Sequence, residues 1–478
     1  MKKYLLLLCC CLLCFSFLTA CGESDNTEKI DDTPAYTAID LDGYDFIISG
    51  YQRDGYAELV PEVGDSELGD RLISHYAKVA AEFNCTITTY DAAGSEASRI
   101  QKAMVSQIKD ADIVDMWLDS MTTAYKSGYL LPIKEIIDET DLYEGKYGTK
   151  SQLDAVTFMR PWGMETFGFK SAYWGLPSPT FTNICYFNPK LIKEFQQANP
   201  FELIENKNWD WNNFEKICVG VISQGVDPND KNTATYGVGE NPDLRYTAFS
   251  LIASNGVKAL YFDEEEGIYK CGLDSQATID ALTFGNKLFE AGAMKIRSGN
   301  APGRDFGYIV EDFILGRSAF LIEYSYHGTS DKTSMSYTDG FEFSWIPVPV
   351  GPSGTWGKWA SQISFADRYL CFPAGGADED VLQAIVPALF EPFEGMDKYA
   401  WRDIFSRRLF FEEESRKWFF EMYDNAEYNY HQTLPIWFSG AYTTNVLQGK
   451  KSASEVIATV MSKAQAEIDK NYNKFILE

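Results

Sequence analysis

From Tyr44 to Met116 the chain alternates short apolar runs with amphipathic stretches, and this alternation narrows the possible folds more than any other feature of the sequence. Tyr44-Asp-Phe-Ile-Ile48 reads as a strand, and the spacing of Leu68, Leu72, Tyr76, Val79 and Phe83 by three and four predicts one buried helix stripe. A second strand at Cys85 to Tyr90, a helix over about 95–108 and a third strand at Asp112 to Met116 follow. Strands separated by helices pair in parallel, so the pattern predicts a doubly wound sheet with helices on both faces. Ligands of such sheets bind beyond the carboxyl ends of the strands. That rule puts Tyr51, Gln52 and Arg53, and separately Trp117 and Asp119, at a candidate cleft.

The chain is too long for one core. Its 478 residues exceed what a single hydrophobic core supports, and a hydrophobic content of 45% with 15% aromatics is ample for two lobes. Between 124 and 137 we expect a helix stopped by Gly128, a Leu-Pro turn and another short helix. Asp210 is placed to cap a helix that buries Phe214 and Ile217, with Trp209 and Trp211 packing that helix against the sheet. The last helix opens with Ser452 and Glu455 in capping-box spacing and carries the stripe Val456, Val460, Ala464 and Ile468.

Ahead of this body stands a basic start, Met1-Lys2-Lys3, an apolar run from Tyr4 to Phe17 and a small-residue ending, the pattern of an export signal over residues 1–20. The run is shorter than the about 20 apolar residues of a membrane span. Leu18-Thr-Ala-Cys21 resembles the lipobox of bacterial lipoproteins, which implies cleavage before Cys21 and a diacylglycerol on its sulfur. Residues 21–42 are acidic and poor in large apolar side chains, a flexible tether. The body is thus expected at the extracellular face of a bacterial, Gram-positive membrane, touching it only through the lipid on Cys21.

A net charge of −27 repels nucleic acid and anionic headgroups, so neither is an expected partner. Outside the leader, besides Cys21, stand Cys85, Cys185, Cys218, Cys271 and Cys371, an odd number among apolar neighbours, which reads as buried thiols rather than a disulfide framework or a zinc site. Only three histidines occur, and His75 falls inside an amphipathic helix. There is no nucleophile elbow, phosphate-binding loop or His-Glu-x-x-His, and Asp227 to Asn232 lacks the fifth ligand and the glycine of a calcium loop. No cofactor is expected. Pairs among 69 acidic residues leave a secreted glycoside hydrolase open, and a surface carbohydrate-binding adhesin is a further alternative. Sugar sites mix aromatic faces with carboxylates, amides and Arg, and Trp117, Trp174, Trp356, Trp359 and Trp437 fall in or beside presumed loops at strand ends.

Trp174-Gly-Leu-Pro177, Ile184-Cys-Tyr-Phe-Asn188, Asn208 to Phe214, Thr235-Tyr-Gly-Val238 and Phe313 to Phe320, in this order and spacing, resemble the extracellular solute-binding proteins of ATP-driven sugar importers, the family that includes the maltodextrin-binding proteins. Trp345 to Pro352 and Leu447 to Ser452 extend the likeness, whereas Asp263-Glu-Glu-Glu266 and the aromatic segment from Tyr399 to Tyr430 depart from it. The resemblance implies a two-lobed, periplasmic-binding-protein-like α/β fold of type II, each lobe a doubly wound, mainly parallel sheet with flanking helices, and a hinge between them. It implies discontinuous lobes, 43–160 plus 362–412 and 161–361 plus 413–478. It further implies a monomeric, non-catalytic protein that captures a sugar or oligosaccharide and delivers it to the permease subunits of an ABC transporter. The expected ligand-binding residues are Trp117 and Asp119 of lobe one and Tyr324, Tyr326 and Trp437 of lobe two, with Arg53, Arg245 and Trp174 as further candidates.

Overall fold

The computed structural model describes residues 36–50, 59–64, 66–91, 96–171, 184–224, 234–243, 245–300, 307–329, 335, 338, 340–362, 367–407, 409–429 and 443–477. The export signal, Cys21, nearly all of the tether, Tyr51 to Arg53, Trp174, Asp227 to Asn232 and Trp437 lie outside the described residues. Contacts group Met1–Thr37 into one unit and Ala38–Glu478 into another. Within the second, Leu41 and Gly43 donate to the carbonyls of Phe83 and Asn84, and Asn84 donates to Asp40, so the chain is held from Asp40 onward.

Among the described residues the strands form two larger sheets and three two-stranded ones. The chain first makes β1 (Asp45–Gly50), β2 (Thr86–Asp91) and β3 (Ile113–Trp117), then a hairpin of β4 (Thr157–Arg160) and β5 (Gly163–Thr166). Next come β6 (Ile184–Phe187), β7 (Tyr236–Glu240), the hairpin β8 (Leu260–Asp263) and β9 (Ile268–Cys271), β10 (Met294–Ile296), β11 (Ser318–Glu323) and β12 (Ser344–Ile346). β13 (Trp359–Gln362), β14 (Arg368–Cys371) and β15 (Ala426–Asn429) complete the strands among the described residues.

One sheet runs β2-β1-β3-β14 and the other β10-β7-β11-β6-β12. In each, three parallel strands stand in the order second, first, third, and an antiparallel strand, β14 or β6, follows the third. The order reverses between β1 and β3 in the first sheet and between β7 and β11 in the second. Such reversals leave a crevice at the carboxyl ends of the flanking strands. The chain therefore has two switch points, one per sheet.

Helices α1 (Glu67–Glu82) and α2 (Glu96–Ser106) connect the first three strands. Ser66 caps α1 by accepting from the Gly69 amide, and the buried face is Leu68, Leu72, His75, Tyr76 and Val79, the stripe that the spacing predicts. Helix α3 (Leu118–Lys126) follows β3 directly. In the second lobe, Asp210 accepts from the Asn213 amide to cap α4 (Trp211–Gly220), and α5 (Tyr246–Ser254) and α6 (Gln276–Glu290) cover the sheet. Trp209 donates to the Pro347 carbonyl and packs on Phe320 of β11, as expected, whereas Trp211 stacks on Phe284 of α6 at 4.6 Å rather than on the sheet. Helix α7 (Glu379–Leu389) returns to pack on α1, α8 (Glu413–Asn425) packs on β12, and α9 (Ala453–Ile468) on α6.

One apolar core lies on the first sheet, around Ile100, Met116, Met121, Tyr125 and Tyr369, and another, around Trp211, Leu251, Leu282, Ile457 and Ile468, lies among α4, α5, α6, α9 and the β8–β9 hairpin. Tyr472 touches both, its ring 6.0 Å from Phe158 and 5.5 Å from Tyr269. All five body cysteines are free. His75 is buried, its Nε2 3.1 Å from the carbonyls of Ala388 and Leu389, which ties α1 to α7.

Candidate functional site

The second switch point is built from two strands that end in glutamate. Glu240 closes the fully buried β7 and Glu323 the fully buried β11, and the two residues are 1% and 3% exposed. Helix α5 begins shortly after β7 at Tyr246, preceded by Arg245 in the left-handed region (φ 58°) and with no capping side chain of its own. Glu240 supplies that cap, its Oε2 accepting from the Ala248 amide at 2.7 Å. Its Oε1 has no hydrogen-bond partner among the described residues. Glu323 Oε2 has none either, while its Oε1 lies 3.3 Å from Nε2 of His327.

Burial governs the protonation of this cluster. It raises the Glu240 carboxyl to about 8 against the opposing pull of the Ala248 amide and Arg245, and burial together with the Glu240 charge raises Glu323 well above the usual range. Burial also lowers His327 to about 3, so its contact with Glu323 involves a neutral imidazole at neutral pH. Three tyrosine rings form one cluster here, and Tyr246 feels the Glu323 charge. Tyr324 lies edge-on to Tyr246 with centroids 4.8 Å apart and 6.3 Å from Tyr326, which covers His327 at 4.3 Å. The Tyr186 hydroxyl donates to the Tyr324 carbonyl at 2.7 Å and fixes the turn.

At the first switch point β3 ends in Trp117, which is itself the N-cap position of α3. The helix thus starts at Leu118, not near Ala124 as the sequence reading has it, because Leu118, Met121, Ala124 and Tyr125 already form a buried face and no capping side chain announces the start. Trp117 is half-buried, and its Nε1 is buried without a partner. Its ring lies 5.9 Å from the guanidinium of Arg368, the residue opposite it on β14. Arg368 donates from Nε to Asp115 Oδ2 at 2.7 Å and from Nη2 to the Asp115 carbonyl at 2.9 Å, and Glu96 stands 3.5 Å away. All three charged residues are buried, and Asp115 keeps its Oδ1 unpaired.

Asp119 sits exposed in the first turn of α3, its Oδ1 accepting from the Ser120 amide, where a negative charge favours the helix start. Trp117 and Asp119 therefore share the first switch point, and Glu240, Arg245, Tyr246, Tyr324 and Tyr326 the second. Arg245 is buried and donates to the Asp243 carbonyl at 2.8 Å. Trp359 is a correction: it lies inside β13, where parallel pairing with β15 buries its ring against Trp418 and Trp356. Gln362, at the end of the same strand, is fully buried, donates to the Phe249 carbonyl of α5 and leaves its Oε1 unmet.

Sequence reasoning passed over Glu240, Glu323, Asp115 and Arg368. The signal was present in Tyr236-Gly-Val-Gly-Glu240 and Ser318-Ala-Phe-Leu-Ile-Glu323, buried runs that close on an acid. A cleft of about 550 Å³ also opens along α1 at Ser66, Asp70, Ser74 and Phe393. Its charges are largely paired with one another, as in Arg71–Glu67 and Lys78–Glu394. Among the described residues no group of three or more His, Cys, Asp or Glu is arranged to hold a metal ion.

Two lobes with matching strand order and a polar, aromatic switch point in each define a periplasmic-binding-protein-like α/β fold. The family model for the bacterial extracellular solute-binding protein matches residues 74–370, and the chain belongs to that family. It is similar to the GacH receptor of Streptomyces glaucescens GLA.O, whose structures are described unliganded and in complex with acarbose and an acarbose homolog. The two share 14% identity over 91% of this chain and 99% of that one, with a TM-score of 0.53. A comparison with curated proteins finds no match.

Proposed function

We propose that the chain is a lipid-anchored extracellular solute-binding protein that captures a carbohydrate between its lobes and delivers it to the permease of an ABC importer. The observation that carries this reading is the occurrence, at both switch points, of aromatic rings with buried carboxylate oxygens that have no partner among the described residues: Trp117 ends the strand that holds Asp115, and Tyr324 and Tyr326 follow the strand that ends in Glu323, whose charge Glu240 acts on. Aromatic faces cover the C–H patches of a sugar ring, and unpaired acceptors take its hydroxyls. Family membership and the acarbose complex of the GacH receptor support the same ligand class.

In this reading lobe one comprises 43–160 plus 362–412 and lobe two 161–361 plus 413–478, with a hinge where the chain passes between them. Arg53, Asp119, Trp174, Arg245 and Trp437 complete the ligand set, Cys21 carries the lipid, and the protein acts as a monomer without catalysing a reaction. A thermal-shift screen against a carbohydrate library tests it, since a ligand at a hundred times its dissociation constant adds about 2.7 kcal/mol. Stabilisation by sugars supports the proposal. Stabilisation only by amino acids or peptides refutes it, and release of reducing ends from oligosaccharides would favour a glycoside hydrolase instead.

A further inference from the structure

We propose that the ligand group held at the second switch point is a basic nitrogen, so that the captured carbohydrate is an aminated one. The inference rests on the carbohydrate reading above and narrows it. Glu240 and Glu323 end the two strands that flank the switch point, and each is buried with one oxygen that accepts no hydrogen bond among the described residues, although the Thr247 and Asn241 amides also lie near the Glu240 carboxyl. An ionised carboxylate only accepts hydrogen bonds, so these oxygens call for an incoming N–H or O–H.

Charge separates the two kinds of donor. Among the described residues, Arg245 is the cation acting on Glu240, and none acts on Glu323. Arg245 is also held by the Asp243 carbonyl. From the packed elements, His327 is neutral, and Tyr246, Tyr324 and Tyr326 are phenols. Two buried acids facing one cation leave one negative charge unbalanced if both ionise. Without ligand, burial keeps a proton in the cluster. A neutral sugar supplies donors but no charge, whereas an ammonium supplies both and releases the proton to solvent. Outside the acids, Gln362 adds a further acceptor without choosing between the donors: its Nε2 is bound to the Phe249 carbonyl of α5, the helix that Glu240 caps, and its buried Oε1 lacks a donor among the described residues.

Matched pairs of sugars test the inference on the mature chain: glucose and glucosamine, galactose and galactosamine, cellobiose and fully deacetylated chitobiose, maltotetraose and acarbose, with spermidine as an amine that is not a sugar. Thermal shift ranks them, and calorimetry in two buffers of different ionisation heat counts released protons. The amino member of a pair should bind about tenfold more tightly than its neutral partner, the usual margin of a charged over a neutral hydrogen bond, with proton release. Glu323→Gln should abolish both the preference and the release, and the wild-type comparison stands even if that variant folds poorly. Equal or tighter binding of the neutral member overturns the inference and leaves the carbohydrate reading standing. Stabilisation by spermidine alone supports the basic nitrogen and overturns the carbohydrate, and a panel in which nothing binds overturns both.

Discussion

The buried Glu240 carboxyl makes the stability of the unliganded protein depend on pH in a direction opposite to that of an ordinary salt-bridged acid. Its value is raised from 4.5 to about 8 by burial, the largest effect, against the lowering by the Ala248 amide and Arg245. A carboxyl whose folded value lies above its unfolded value contributes stability that is fully present below the unfolded value, declines as pH rises, and is gone once pH has passed the folded value. At 1.36 kcal/mol per unit, the full loss between pH 4.5 and 8 is on the order of 5 kcal/mol. Glu323 is raised too and adds the same sign. His75 and His327 are both lowered by burial and act oppositely, since buried neutral imidazoles favour folding as pH rises towards their unfolded value of 6.5. The window from about pH 7 to 8.5 lies above the histidines, and the buried cysteines, whose raised thiols add a loss of the same sign towards its upper end, act equally in the wild type and in the variant. Urea unfolding of the wild type and of Glu240→Gln across that window checks this, because the amide keeps an oxygen for the Ala248 amide but cannot ionise. The wild type should lose stability with rising pH, and the variant should lose distinctly less. A flat wild-type curve, or equal slopes in both proteins, would refute the reasoning.

Three further outcomes follow from the same structure. Arg368→Ala leaves Asp115 and Glu96 buried without their cation and should cost about 3–5 kcal/mol in urea unfolding, whereas a loss below 1 kcal/mol would show that the network is solvated. Trp117→Ala and Trp437→Ala should each weaken sugar binding about five- to a hundredfold while leaving the melting temperature of the unliganded protein nearly unchanged, a split that calorimetry and thermal melts read separately. Cys21→Ser should release an unlipidated, folded protein to the medium or leave it held by an uncleaved signal, and unchanged lipid labelling of the membrane fraction would contradict the lipobox assignment.

β1 and α1 were legible in the sequence because each buries chiefly one face, so the periods of two and about 3.6 survive in Phe46, Ile48, Leu68, Leu72 and Val79, whereas β3 is buried on both faces and shows only as a short apolar run. Direction was not legible. Ile184-Cys-Tyr-Phe187 is buried on both faces and runs antiparallel in the middle of the second sheet, and nothing in a buried apolar run states which way it points. The starts of α3 and α5 were hidden for a shared reason. Trp117 and Arg245 occupy the cap positions and neither makes a capping bond, so the usual Ser, Thr, Asp or Asn signal is missing. For α5 the cap comes from Glu240 across a turn, a substitution that only the folded chain reveals.

The same detail explains why the two halves of the site differ. At β3 the acid is already served: Arg368 occupies one oxygen of Asp115, leaving a single open acceptor on the strand that Trp117 ends. At β7 and β11 the chain has used one oxygen of Glu240 to start a helix, has set a neutral imidazole against Glu323, and has left an open acceptor on each strand. A buried acceptor without a donor is destabilising by about 1–3 kcal/mol, so a stretch of polypeptide selected for folding alone would fill or remove it. Two of them at one strand-order reversal, with a cluster of three tyrosine rings, make the second lobe the half where incoming donors gain most. Substitutions there should therefore act on affinity through hydrogen bonding and charge, and substitutions at Trp117 through ring contact, two effects that salt and pH separate because only the first depends on ionisation.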